Sequence, residues 1–211
     1  MDAALRAGVA IYNAGHYHDA HDAWEDRWLD LEAGTDDERL LHGLIQFTAA
    51  VFHAGNGNWD GVGGLAERAV GYLGGLPADY RGVNVGTVRD YLGRAAADPH
   101  HVERVAPPAL TYEGRALGLD DLDVPALGVA ATVFAEADEA YDAGVVERAA
   151  AFAEAAVDAA AAATATGDDR FVALVTDFVV DEGRRPLVYD RLRAHVERRV
   201  AELEDAAGLF D

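Results

Sequence analysis

Residues 16–28 read HYHDAHDAWEDRW, which places His16, His18, His21, Trp24, Trp28 and four acids within thirteen positions. His21 and Glu25 are four apart, so on a helix they share one face. Beside Trp24 and Trp28 they are expected to be partly buried, and a buried imidazole or carboxylate needs a partner. A second stretch offers partners: His42, Gln46, Ala49 and His53 follow one another at spacings of 4, 3 and 4. An antiparallel pairing of the two helices would gather His21, Glu25, Gln46 and His53 around one point, with Tyr17, Trp24 and Trp28 as apolar walls. Three chemistries fit that set. It is a hydrogen-bonded clasp that fixes helix register, or a divalent site for zinc, manganese or iron held by His21, Glu25 and His53, or a metal-free pocket in which Glu25 or a histidine is the general base. His16 and His18 fall at the turn and on the opposite face, and are expected to be solvated.

The surrounding pattern is helical. Residues 3–14 predict a short helix closed by Gly15. Residues 17–31 predict a second, with Tyr17, Ala20, His21, Trp24, Trp28 and Leu31 on one stripe. Gly34 closes it and Thr35 can cap a third helix over 37–54, with Leu40, Leu41, Leu44, Ile45, Ala49 and Phe52 facing inward. GNGNWDG at 55–61 is a turn by composition, and a fourth helix follows to Leu73 with Leu65, Ala69 and Tyr72 spaced for burial. From Leu76 to Pro125 the texture changes: Pro77, Pro99, Pro107, Pro108 and Pro125 lie here, around one helix at 87–97. LTYEGRALGL suggests a small β-hairpin turning at Glu113–Gly114.

Beyond 126 the chain is helical again, over 126–141 and 145–165. A stripe of Phe171, Leu174, Val175, Phe178 and Val179 follows the capping candidates Asp168 and Asp169. After Gly183, Pro186 opens a last helix whose buried side is expected to carry Val188, Leu192, Val196 and Leu203. The expected fold is all-α, a bundle of helical hairpins. It divides into a helical domain at 1–75, an irregular proline-rich connection at 76–125 and a C-terminal helical region at 126–211 that packs on the first.

Gly15-x-Tyr17-x3-His21-x2-Trp24-Glu25-x2-Trp28, then Gly43-Leu44-Ile45-Gln46 and His53, then Asn58-x2-Gly61 resembles the family called domain of unknown function 309. The resemblance covers about residues 5–73. It implies a small helical domain and draws attention to the same polar residues, but it implies no reaction. The family commonly has His-Glu where this chain has His21-Asp22, a shorter acid at position 22.

The composition removes several mechanisms. The 211 residues contain no cysteine, no lysine and no serine. Disulfides, thiolate ligands, serine or cysteine nucleophiles, Schiff bases and a phosphate-loop lysine are therefore excluded. All 17 basic residues are arginine and the net charge is −21, which repels nucleic acid and anionic membranes. The composition resembles that of acidic, haloarchaeal-type cytoplasmic proteins, whose self-repulsion is screened at molar salt. No apolar run is long enough to span a bilayer, and the opening MDAALRAGVA lacks the basic and apolar regions of a secretory signal, so a cytoplasmic location is expected. Arg184, Arg185, Arg191, Arg193, Arg198 and Arg199 crowd the last helix. Without interleaved aromatics they are expected to pair with the chain's own acids rather than with phosphates. Two function classes stay open: a helical binding or scaffold module, with a protein partner or a second copy of the chain, and a metal-dependent, hydrolase-like enzyme.

Overall fold

A computed structural model describes residues 1–162 and 169–208. Every regular element among the described residues is a helix, and no strand occurs among them. Backbone contacts divide the chain into one compact unit at Met1–Asp121 and a second at Leu122–Asp211.

The first unit begins with α1 (Asp2–Asn13), α2 (Tyr17–Leu29), α3 (Asp36–Gly55) and α4 (Trp59–Leu73). Short connections turn the chain back each time, so consecutive helices pack pairwise. Gly15 at φ +92° and Gly34 at φ +83° supply the left-handed residues that let the chain leave α1 and enter α3. Thr35 caps α3 by accepting from the Glu38 amide, and Asp36, Asp37 and Glu38 complement the positive end of its dipole. Asn58 caps α4 by accepting from the Gly61 amide. Leu5, Val9, Ile11, Trp24, Leu40, Leu41, Leu44, Phe47, Val62 and Leu73 are fully buried between these helices. Two of the buried helix contacts rest on glycine. Trp24 lies on Gly8, where a Cβ would stand 2.2 Å from the indole, and Leu73 lies on Gly43, where a Cβ would stand 2.4 Å away. Phe52, placed on the buried stripe of α3 by spacing, is instead 41% exposed.

The proline-rich stretch packs within this first unit. It contains α5 (Val85–Ala97), the single-turn α6 (His101–Arg104) and a 3-10 turn at Leu119–Asp121. Its irregular backbone is held by side chains from the helices. Asn13 donates to the carbonyls of Leu110 and Leu117 at 2.9 Å and accepts from the Leu110 amide at 3.0 Å. The Tyr12 hydroxyl donates to the Pro108 carbonyl and that of Tyr91 to the Val105 carbonyl. Burial, with Tyr17 nearby, pushes the Tyr91 phenol up to about 12. Asn84 donates to the Ala109 carbonyl and accepts from the Thr111 amide. The expected hairpin is reduced to a two-residue turn. Glu113 and Gly114 take positive φ and Tyr112 bridges Arg115, but the pairing extends no further than isolated bridges. A matching turn at Arg81–Gly82 joins Tyr80 to Val83, and Val83 bridges Tyr112. Too few residues alternate for a ladder to grow. Because one side chain meets three backbone groups there, Asn13→Ala is expected to cost about 1–3 kcal/mol in urea denaturation, the penalty of stranding partly buried peptide groups.

The second unit is α7 (Val124–Glu136), α8 (Ala143–Ala161), α9 (Asp169–Val180) and α10 (Arg185–Gly208). Asp123 caps α7 and Asp142 caps α8, accepting from the amides of Ala126 and Gly144. Small residues such as Ala130, Ala131, Ala149 and Ala153 let α7 and α8 approach, and Phe134, Phe171, Val175, Phe178, Leu192 and Val196 fill the rest of the core. Arg185 is buried at the end of α9. It donates to the carbonyls of Phe178 and Val179, and its guanidinium lies 4.4 Å from the Phe134 ring centroid. A cation there satisfies orphan carbonyls, opposes the negative end of the helix dipole and stacks on an aromatic face. Other arginines of the basic row pair close by in sequence: Arg184 with Asp181, Arg193 with Asp190 and Arg199 with Glu202. Leu203, expected to be buried, is 47% exposed, because the stripe of α10 leaves the core after Val196. Asp168 and the Asp169 side chain, the proposed caps of α9, lie outside the described residues, as does the end of the helix predicted to reach 165.

Candidate functional site

The polar residues of α2 and α3 form two separate groups. The first lies along α2. His21 Nε2 is 3.7 Å from Glu25 Oε1, with the two side chains 29% and 46% exposed. Asp22 joins them: one ligand atom from each of His21, Asp22 and Glu25 falls within 4.8 Å of the others. His18, Asp19 and Asp22 make a second such trio, and His18 Nδ1 lies 3.7 Å from Asp22 Oδ2. The Asp22 carboxyl is pushed above the ordinary range, chiefly by burial and further by Asp19 and Glu25. The neighbouring His18 and His21 oppose that shift. His16 pairs with Asp19 at 3.4 Å. Helical geometry alone builds this row, since side chains three and four apart meet.

The second group is more enclosed. Glu38 Oε1 accepts from the Trp28 indole at 2.9 Å and lies 3.2 Å from His42 Nδ1. Its other oxygen accepts from the Gly34 amide at 3.2 Å. The His42 ring lies between Trp28, at 4.5 Å between centroids, and Tyr72 of α4, stacked at 3.7 Å. Glu38 and His42 side chains are only 13% and 18% exposed. Burial works against a charge on Glu38. The donors Trp28, Gly34 and His42 outweigh it and hold the carboxyl below the usual glutamate range. One carboxylate thus ties α2, the α2–α3 turn and α3 together. Spacing around His21 does not single out Glu38, Tyr72 or the inward side of His42. Thr35-x-x-Glu38 carries the sequence signature of a capping box, and that signal marks Glu38. Here the side chain reaches Gly34 and Trp28 as it turns back.

The remaining candidates are dispersed. Gln46 accepts from Arg68 of α4 at 3.1 Å. His53 Nδ1 lies 2.7 Å from the Asn58 side-chain nitrogen. Among the described residues, no trio of close ligand atoms joins His53 to His21 or Glu25. Trp24 is wholly buried against Gly8, and its Nε1–H meets no acceptor among the described residues. Tyr17 packs on Tyr12 at 5.2 Å and, with Asn13, Pro108 and Leu117, lines an open cleft of about 410 Å³. Of the three residues expected as walls of one pocket, Trp28 joins the Glu38 group, Trp24 the core and Tyr17 this cleft.

The first unit is therefore a helical scaffold with an internal polar tie and an outward polar row, and comparison with known proteins assigns it to no reaction. Residues 5–65, from α1 into α4, match the model of a family described as "Domain of unknown function (DUF309)". An "Uncharacterized protein" of Aquifex aeolicus (strain VF5) is 27% identical over 108 residues. That match spans 51% of this chain and 31% of the relative. Neither description carries an activity, and the function is unknown. No helix among the described residues is long and apolar enough to cross a membrane.

Proposed function

We propose that residues 1–121 act as a helical binding module in a salt-adapted cytoplasmic protein. One observation supports the reading above others. The enclosed polar contacts belong to Trp28, Glu38 and His42, which frees His18, His21, Asp22 and Glu25 to form a half-exposed row whose ion pairs stay within α2. A row of two imidazoles and two carboxylates on a chain of charge −21 suits a protein partner that brings a cationic or hydrogen-bond-donating group. The same charge disfavours nucleic acid and anionic membranes as partners. Cross-linked capture at molar salt, followed by mass spectrometry, tests this with the variant His21→Ala/Asp22→Asn/Glu25→Gln. The expected result is a partner recovered with the wild type and lost with the variant. Equal recovery by both proteins contradicts the assignment of the row.

A second reading, a metal-dependent hydrolase-like enzyme, is favoured by the convergence of His21, Asp22 and Glu25 within 4.8 Å. An imidazole and carboxylates suit zinc, manganese or iron. Elemental analysis after loading would give near-stoichiometric metal that disappears in His21→Ala. Background metal in both proteins would dismiss this reading.

A further inference from the structure

The motif His53…Asn58-x2-Gly61 sits at the α3–α4 turn, away from the Glu38 tie. Asn58 Oδ1 accepts from the Gly61 amide at 3.1 Å, which fixes the amide orientation, because reversing it would set its NH2 against the Gly61 N–H. The Asn58 NH2 therefore faces His53 Nδ1 at 2.7 Å and donates to it. Nδ1 is then the acceptor, and the single proton of the neutral ring sits on Nε2. Nε2 has no partner among the described residues and is not a buried atom. Gly61 is part of the device: a Cβ there would stand 2.7 Å from His53 Nδ1 and 2.9 Å from Asn58 Nδ2. A helix cap alone would need only the Asn58 oxygen. The amide nitrogen is engaged in addition, and its target is a histidine.

We propose that Asn58 is a positioning residue that locks His53 in the Nε2–H tautomer. His53 then acts as a hydrogen-bond donor to a carbonyl or carboxylate oxygen of a ligand, and is withdrawn from metal ligation. A metal needs a ring nitrogen with a free lone pair. Here one nitrogen accepts from Asn58 and the other carries the proton. The ligand half of this statement rests on the reading of the first unit as a binding module; the tautomer does not.

Long-range 1H–15N NMR of the whole chain near pH 8, above the usual histidine range, reads the tautomer directly. Wild type is expected to show His53 with Nε2 protonated and Nδ1 bare. Asn58→Asp keeps an oxygen for the Gly61 amide but replaces the donor with an acceptor, and is expected to move the proton to Nδ1. Gly61→Ala, which crowds the pair, is expected to return the ring to a mixture of tautomers. Zinc chloride added stepwise is expected to leave the wild-type His53 signals in place, whatever it does at His21. A wild-type ring that is averaged or protonated on Nδ1, or zinc-induced shifts at His53, would overturn the proposal. Failure of partner capture with the α2 row would leave the tautomer result standing, so the two claims fail separately.

Discussion

Glu38→Ala is expected to lower the unfolding free energy by about 2–4 kcal/mol, because it strips a charged acceptor from three donors at once. The Trp28 indole, the Gly34 amide and His42 all turn toward this carboxylate, and its side chain is 13% exposed. Little water reaches the donors left behind. Urea denaturation measures the loss. Glu38→Gln adds a pH signature. The folded carboxyl lies below its unfolded value, so its charge contributes stability that is present above the unfolded glutamate range, about pH 4.3. That contribution is lost as pH falls through the lower folded value. The stability gap between wild type and Glu38→Gln is therefore widest near neutrality and closes in acid. A gap independent of pH would mean that Glu38 acts by packing alone.

Trp24→Ala is expected to be the more damaging change, about 3–5 kcal/mol by the same measurement. The indole is wholly buried and rests on Gly8, where α1 and α2 come close enough to exclude any Cβ. Removing it opens a cavity between two helices that cannot collapse without moving α1. Filling the other side is no remedy: Gly8→Ala would drive a methyl into the ring and force the helices apart. Trp24→Phe should recover much of the loss, since the Nε1–H makes no hydrogen bond among the described residues.

Much of the helical order was legible in the sequence. Left-handed Gly15 and Gly34, Thr35 before the apolar stripe of α3, and Pro186 at the start of α10 are local signals, and local backbone chemistry enforces them. Trp24 and Trp28 were equally visible, but periodicity assigns residues to a face and not to a neighbour. Trp24 found Gly8, which no stripe advertises, and Trp28 found Glu38. The pairing of His21 with Glu25 is a property of one helix and could be foreseen. The meeting of that pair with Gln46 and His53 depended on the register between two helices. In the structure Gln46 turns to Arg68 and His53 to Asn58. Leu203 and Phe52 show the same limit, since a helix can keep its apolar spacing past the point where its partner ends.

On the reading proposed above, Glu38 ties α2 to α3, and His21, Asp22 and Glu25 are left for recognition. Urea unfolding of His21→Ala/Asp22→Asn/Glu25→Gln beside wild type, at molar salt, tests it most directly. The expected midpoint corresponds to a change within about 0.5 kcal/mol, as for surface positions. A loss of about 3 kcal/mol or more would put the register-setting contacts in the row itself and contradict the separation of the two groups.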